Sequence, residues 1–186
     1  MTFSKIWIKG VLFAAISVLL MACAADPNLG AGPQAVKPIG DFKLGHLVVF
    51  ADNVKKGPMS RDATPEQLKT ALEAEMRSRF GGLTGKKYFN IGVAVDVYAL
   101  ARAGIPLVLT PSSALAVTVN IWDDSKNQII IEEDKQFSTL EKLSANLLIG
   151  SGLTMTAEEQ LQELVVRTVD KIEAYMRENE ALFIAE

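Results

Sequence analysis

Residues 89–98 read Phe-Asn-Ile-Gly-Val-Ala-Val-Asp-Val-Tyr, and residues 115–122 read Leu-Ala-Val-Thr-Val-Asn-Ile-Trp. In the first stretch Phe89, Ile91, Val93, Val95 and Val97 alternate with Asn90, Gly92, Ala94, Asp96 and Tyr98. In the second, Leu115, Val117, Val119 and Ile121 alternate with Ala116, Thr118, Asn120 and Trp122. An apolar period of two sustained this long predicts two strands that each bury one face. The polar turn 123–127 follows, Asp-Asp-Ser-Lys-Asn, and then a fourth strand over 128–137 with less regular alternation. Strands joined this way most simply form an antiparallel meander.

Two helices flank these strands. Thr64, Pro65 and Gln67 spell a capping box with proline at the first helical position, and Gly81-Gly82 supplies the stop. Between them Leu68, Ala71, Leu72, Met76 and Phe80 fall on one stripe. Thr156 and Glu159 form a second capping box. Behind it Leu161, Leu164, Val165, Val169, Ile172 and Met176 face away from a polar side of mixed charge, the pattern of a core-packing helix. A short, dense run at 45–51 predicts the first strand. The order is β-α-β-β-β-α, an α+β domain: a mostly antiparallel four-stranded sheet with two helices packed on one face. A right-handed crossover through the first helix sets the first strand parallel to the second.

Upstream of the domain lies an address. Lys5 and Lys9 precede the uncharged run 11–22, which ends Leu20-Met21-Ala22-Cys23. Twelve residues fall short of the roughly 20 that span a bilayer but suit a signal peptide. Extending the run over Ile6-Trp7-Ile8 to make an anchor would bury Lys9, at about 2.5–3.5 kcal/mol. The terminal four residues resemble the lipobox of bacterial lipoproteins, with Met21 a less usual occupant of its position. The resemblance implies cleavage before Cys23 and lipid on its thiol and new amino group. Ala24 stands where Asp would signal inner-membrane retention in enteric bacteria, so the expected location is the outer membrane, lipid-anchored, with the domain in the periplasm. The expected organisation is a signal peptide at 1–22, a lipidated Cys23 and proline- and glycine-rich linker to residue 40, and a single domain over 41–186. A coil of that linker's length has an r.m.s. reach of roughly 20–25 Å.

The element order of residues 45–180 also resembles small periplasmic domains of bacterial lipoprotein families, the accessory domain of the curli-secretion lipoproteins among them. That resemblance rests on order alone and carries over no functional residue.

Composition narrows the function. The chain has 186 residues and a net charge of −3. Removing 1–22 takes away Lys5 and Lys9 but no acid, leaving −5. No basic excess exists to neutralise a phosphate backbone, so no nucleic-acid partner is expected. The single cysteine, Cys23, rules out an intramolecular disulfide, and a single histidine, His46, cannot build a histidine metal cage. His46 has no nucleophile or acid signature beside it, and Ser112-Ser113 sit in no G-x-S-x-G elbow. Glu132 and Glu133, adjacent on the expected strand, point to opposite faces. Asp123, Ser125 and Asn127 approach a calcium loop but lack its glycine. The residues therefore call for no enzyme, metal or cofactor.

Two segments are unusually apolar for connections: 103–111, with Ile105, Leu107 and Leu109, and 146–155, with Leu147, Leu148 and Ile149. They either fold back on the core or form a surface for an envelope protein partner or a lipid. The expected role is a non-enzymatic interaction or assembly module held to the membrane through Cys23. The alternative is a carrier of a lipid or other apolar ligand, with a groove between sheet and helices.

Overall fold

The computed structural model describes residues 37–102, 113–131, 135–141 and 155–184. The elements in chain order are β1 (Phe42–Phe50), β2 (Lys55–Lys56), α1 (Pro65–Phe80), β3 (Lys87–Ala99), β4 (Ala114–Asp123), β5 (Gln128–Ile129), β6 (Lys135–Leu140) and α2 (Ala157–Glu178), then a short 3-10 helix, Glu180–Phe183. This is the α+β order expected, around a mixed sheet of six strands rather than four. β3 is central. β1 and then β2 pair with it in parallel along one edge, and β4 pairs antiparallel along the other. β5 and β6 both pair antiparallel with β4. The expected fourth strand, 128–137, is thus two segments on one neighbour. The first strand begins three residues earlier than expected, at Phe42.

Both helices open on the capping boxes read from sequence. The Thr64 hydroxyl accepts from the Gln67 N–H, and the Gln67 side chain accepts from the Thr64 N–H. Thr156 and Glu159 repeat the arrangement. Leu68, Leu72, Met76 and Phe80 of α1 are buried, as are all six residues of the α2 stripe. They meet Ile91, Val93 and Val95 of β3 and Val117, Val119 and Ile121 of β4, which lie opposite one another in register. Phe42 stacks on Phe89 with centroids 5.3 Å apart, and Phe80 and Phe183 present edges to Phe42, closing one end of the core.

Two bulges reset the pattern. In β1 the register to β3 slips between Leu44 and Leu47, and the extra residue is absorbed where the His46 N–H donates to Asn90 Oδ1. In β3 the register to β4 slips between Val95 and Val97. Beyond that slip the faces exchange: Val97 is 36% exposed and Tyr98 only 4%. The expected alternation, with Val97 inside and Tyr98 outside, fails at this point. Asp96 is the inserted residue, and a bulge reverses side-chain parity. Its carboxylate accepts from the Thr118 hydroxyl at 2.8 Å and from Gln136 at 3.0 Å, which holds it out on the open face.

The domain also begins earlier than residue 41. Ile39 is buried, and Gly40, at φ +50°, turns the chain into β1. The Gly40 N–H donates to Glu180 Oε1 and the Asp41 N–H to the Phe183 carbonyl. Arg177 donates to the carbonyls of Lys37 and Pro38. Residues 37–40, assigned by composition to the linker, are packed on the C-terminal turn.

Candidate functional site

Strand polarity assigns the two ends of the sheet. β1 starts, β3 starts and β4 ends beside the polar turn at 123–127, so the root of the N-terminal segment lies there. β3 ends, β4 starts and β6 ends at the opposite edge. The residues that flank both apolar segments meet at this far end.

Two buried serines gather them. Ser113 accepts the Ala101 N–H on its hydroxyl at 3.1 Å and the Glu141 N–H on its carbonyl at 2.7 Å, while its own N–H donates to the Glu141 carboxylate. The Ser60 hydroxyl accepts the Leu100 N–H at 2.8 Å, and its carbonyl accepts from Arg102. Arg61 reaches the Met155 carbonyl at 2.7 Å, so the chain leading into α2 is drawn to the same place. Ile105, Leu107, Leu109, Leu147, Leu148 and Ile149 themselves lie outside the described residues, as does Cys23. Their flanks, 101–102 with 113 and 141 with 155, are brought together as strand polarity requires. Sequence reasoning missed Ser60, Arg61 and the linking role of Ser113, which carry no local signature.

A groove of about 530 Å³ opens between the N-terminal halves of α1 and α2 at this end. Ala63, Ala71, Ala74, Leu100, Ala157 and Leu161 make its wall apolar. Asp62, at its rim, is ion-paired with Lys56, and the hydrogen bond and charge of that ammonium hold its carboxyl below the usual range. Between sheet and helices, where the carrier reading needed a groove, the described side chains are close-packed. The groove lies between the helices instead.

The sheet face turned away from the helices carries exposed Val48, Phe50, Tyr88 and Trp122 around Gly92 and Ala94. His46 is exposed there too, at the β1 bulge. At the polar end Asp123 is buried. Burial pushes its carboxyl up, but hydrogen bonds from Ser125 and from the Lys126 N–H, with Lys87 at 3.3 Å, outweigh this and leave it below the usual range. Asp123 thereby closes the turn and pins it to β3, a structural task. Among the described residues no three His, Cys, Asp or Glu side chains gather as metal ligands. No described helix is long and apolar enough to cross a membrane.

No protein-family model matches the sequence, and no curated protein matches it. Among solved structures, the chain is similar to a DUF330-family protein from Xanthomonas campestris, at 10% identity over 81% of this chain and 93% of that one, with a TM-score of 0.42. A Caulobacter crescentus CB15 protein provisionally assigned as a lipoprotein matches at 8% identity over 69% and 91%, TM-score 0.35. The PelC dodecamer of Paraburkholderia phytofirmans matches at 10% identity over 73% and 92%, TM-score 0.32. At such scores none of them assigns a function to this chain.

Proposed function

We propose that this protein is a non-enzymatic lipoprotein, anchored in the outer membrane through Cys23, whose periplasmic domain is an interaction or assembly module of the envelope. One observation carries the reading. The flanks of both apolar segments converge on Ser60, Arg61 and Ser113, at the end of the sheet opposite the root of the N-terminal segment. A domain tethered at one end and apolar at the other presents that far end to partners away from its own membrane. Exposed Leu140, at the same end, extends the surface.

Two experiments test the parts separately. Cys23→Ser replaces a thiolate by a far poorer nucleophile, so the variant should accumulate as a precursor without lipid label. Leu107→Asp with Leu148→Asp should abolish partner recovery from detergent-solubilised membranes and leave stability within about 1 kcal/mol of the parent, as surface changes do. Unfolding of the double variant would make these segments core and remove the interaction reading.

The groove between α1 and α2 favours a second reading, a carrier of an apolar ligand, because its volume lies in the range of small-molecule sites. Solvent extraction of the purified protein followed by mass spectrometry separates the two. A stoichiometric lipid that is lost in Ala71→Trp would establish the carrier.

A further inference from the structure

We infer that the root end of the domain docks on the phospholipid surface of its own membrane, with Trp122, Tyr88, Leu182 and Ile184 at the headgroup level. The inference rests on the lipoprotein reading above, and it concerns the opposite end from the proposed partner surface.

Four exposed side chains of interfacial type lie at this end, Tyr88 and Trp122 on the open sheet face and Leu182 and Ile184 on either side of buried Phe183. Tyr88 is 50% exposed, Trp122 37%, Leu182 43% and Ile184 55%. The backbone connects them. The Asp41 N–H binds the Phe183 carbonyl, which places Leu182 and Ile184 beside the start of β1. Two residues on, Lys43 pairs with Tyr88, its ammonium 4.5 Å from the ring centroid. Trp122 lies on the next rung, across from Asn90. Tryptophan and tyrosine favour the membrane–water interface because an apolar ring is joined to a hydrogen-bonding edge.

The tether selects the occupant. From Cys23 to Val36 there are 14 residues. They span at most about 50 Å, at roughly 3.3–3.6 Å each. Their domain end is fastened at Lys37 and Pro38 by Arg177, on the same side as these four residues. Any attraction between this end and the bilayer therefore acts at the high effective concentration that a short tether imposes. A bilayer is the one surface that the lipid on Cys23 keeps within that reach.

Charge does not drive the contact. At this end Lys87 is paired with Asp123 and Arg177 with Glu173, and the mature chain is acidic overall. The surface therefore suits zwitterionic phosphatidylethanolamine and phosphatidylcholine, and salt should not loosen it.

The chain supplies its own probe. Its tryptophans are Trp7 and Trp122, and cleavage before Cys23 leaves Trp122 alone. The mature lipidated protein is reconstituted into phosphatidylethanolamine–phosphatidylcholine vesicles, with or without bromine on the upper acyl carbons. Docking to a depth of about 5–10 Å should blue-shift Trp122 emission and quench it about twofold with brominated lipid, at low and high salt alike. Leu182→Glu with Ile184→Glu, at exposed positions, should remove the quenching while thermal melting is unchanged. Trp122→Phe with Leu140→Trp moves the probe to the far end and should give no quenching. Full-length chain that floats with the vesicles but leaves Trp122 unquenched overturns docking and spares the lipoprotein reading. Equal quenching of probes at both ends, or a blue shift without bromine quenching from contact between copies, also overturns it. Chain without acyl mass on Cys23 that stays in the supernatant overturns both.

Discussion

The Tyr98 hydroxyl holds Ala63 by both backbone groups, donating to its carbonyl at 3.0 Å and accepting from its N–H at 3.2 Å. Ala63 immediately precedes Thr64, the N-cap of α1. A residue near the end of β3 thus sets where the first helix begins. Tyr98→Phe leaves two backbone groups short of a partner and should cost about 1–2 kcal/mol. A urea titration should show a lower midpoint at unchanged slope. An unchanged midpoint would mean that water replaces the hydroxyl without loss.

Asp96 is tested by deletion more sharply than by substitution. Asp96→Ala keeps the bulge and loses the hydrogen bonds from Thr118 and Gln136, an expected loss of about 1 kcal/mol. Deleting Asp96 removes the extra residue and leaves Val97 facing out opposite Ala116 and Tyr98 facing in opposite Leu115, in continuous register. The deletion should therefore stay folded and lose about 1–2 kcal/mol, close to Asp96→Ala, in urea midpoints. A loss above about 4 kcal/mol on deletion would refute the parity argument.

Two glycines should respond in opposite ways. A Cβ on Gly85 would stand 2.1 Å from the carbonyl carbon and oxygen of Asp41, backbone atoms that cannot step aside. Gly85→Ala should therefore destabilise by roughly 3 kcal/mol, as overpacking does. A Cβ on Gly92 meets nothing within 4 Å on the open sheet face. Gly92→Ala should be neutral, or stabilising by a few tenths of a kcal/mol, because it restricts the unfolded chain. Melting temperatures of the pair decide it.

Acid should loosen the end where the tether is rooted. Burial raises the Glu173 carboxyl, but Arg79 at 2.7 Å and Arg177 at 2.7 Å outweigh that and hold it below its ordinary 4.5. Asp123 is held below 3.8 in the same sense. A carboxyl depressed in the folded state stabilises fully above its unfolded value and loses that contribution as pH falls through the folded one. Stability should thus be insensitive to these two groups near neutrality and decline below about pH 4. Glu173→Gln should flatten that decline in urea midpoints measured from pH 7 to pH 3. An acid limb as steep as the parent's would assign it to other carboxyls.

What could be read directly was what depends on near neighbours. Thr64 with Gln67 and Thr156 with Glu159 act across three residues, so both helix starts are written locally. The stripes from Leu68 to Phe80 and from Leu161 to Met176 repeat at helical spacing. Phe89 to Val95 and Leu115 to Ile121 alternate as strands must. With the handedness of the crossover, these local signals were enough for an α+β order and a parallel β1–β3 pair.

Tertiary structure alone decided the rest, because the deciding partners are far apart in sequence. Val97 looks like a core residue until Tyr98 finds Ala63, 35 residues back, and Asp96 finds Thr118 and Gln136. Pro38-Ile39-Gly40 has the composition of a linker, yet Glu180 binds Gly40 across 140 residues. Ser60 and Ser113 have no pattern of their own and become anchors for the far end only when the chain brings Leu100 and Ala101 to them. Hydrophobic period and capping chemistry are local, so the sequence alone determined the two helices, the long strands and their order. Buried polar groups must find partners wherever the fold supplies them, so the folded chain decided the bulges, the packing of residues 37–40 and the serines that anchor the far end.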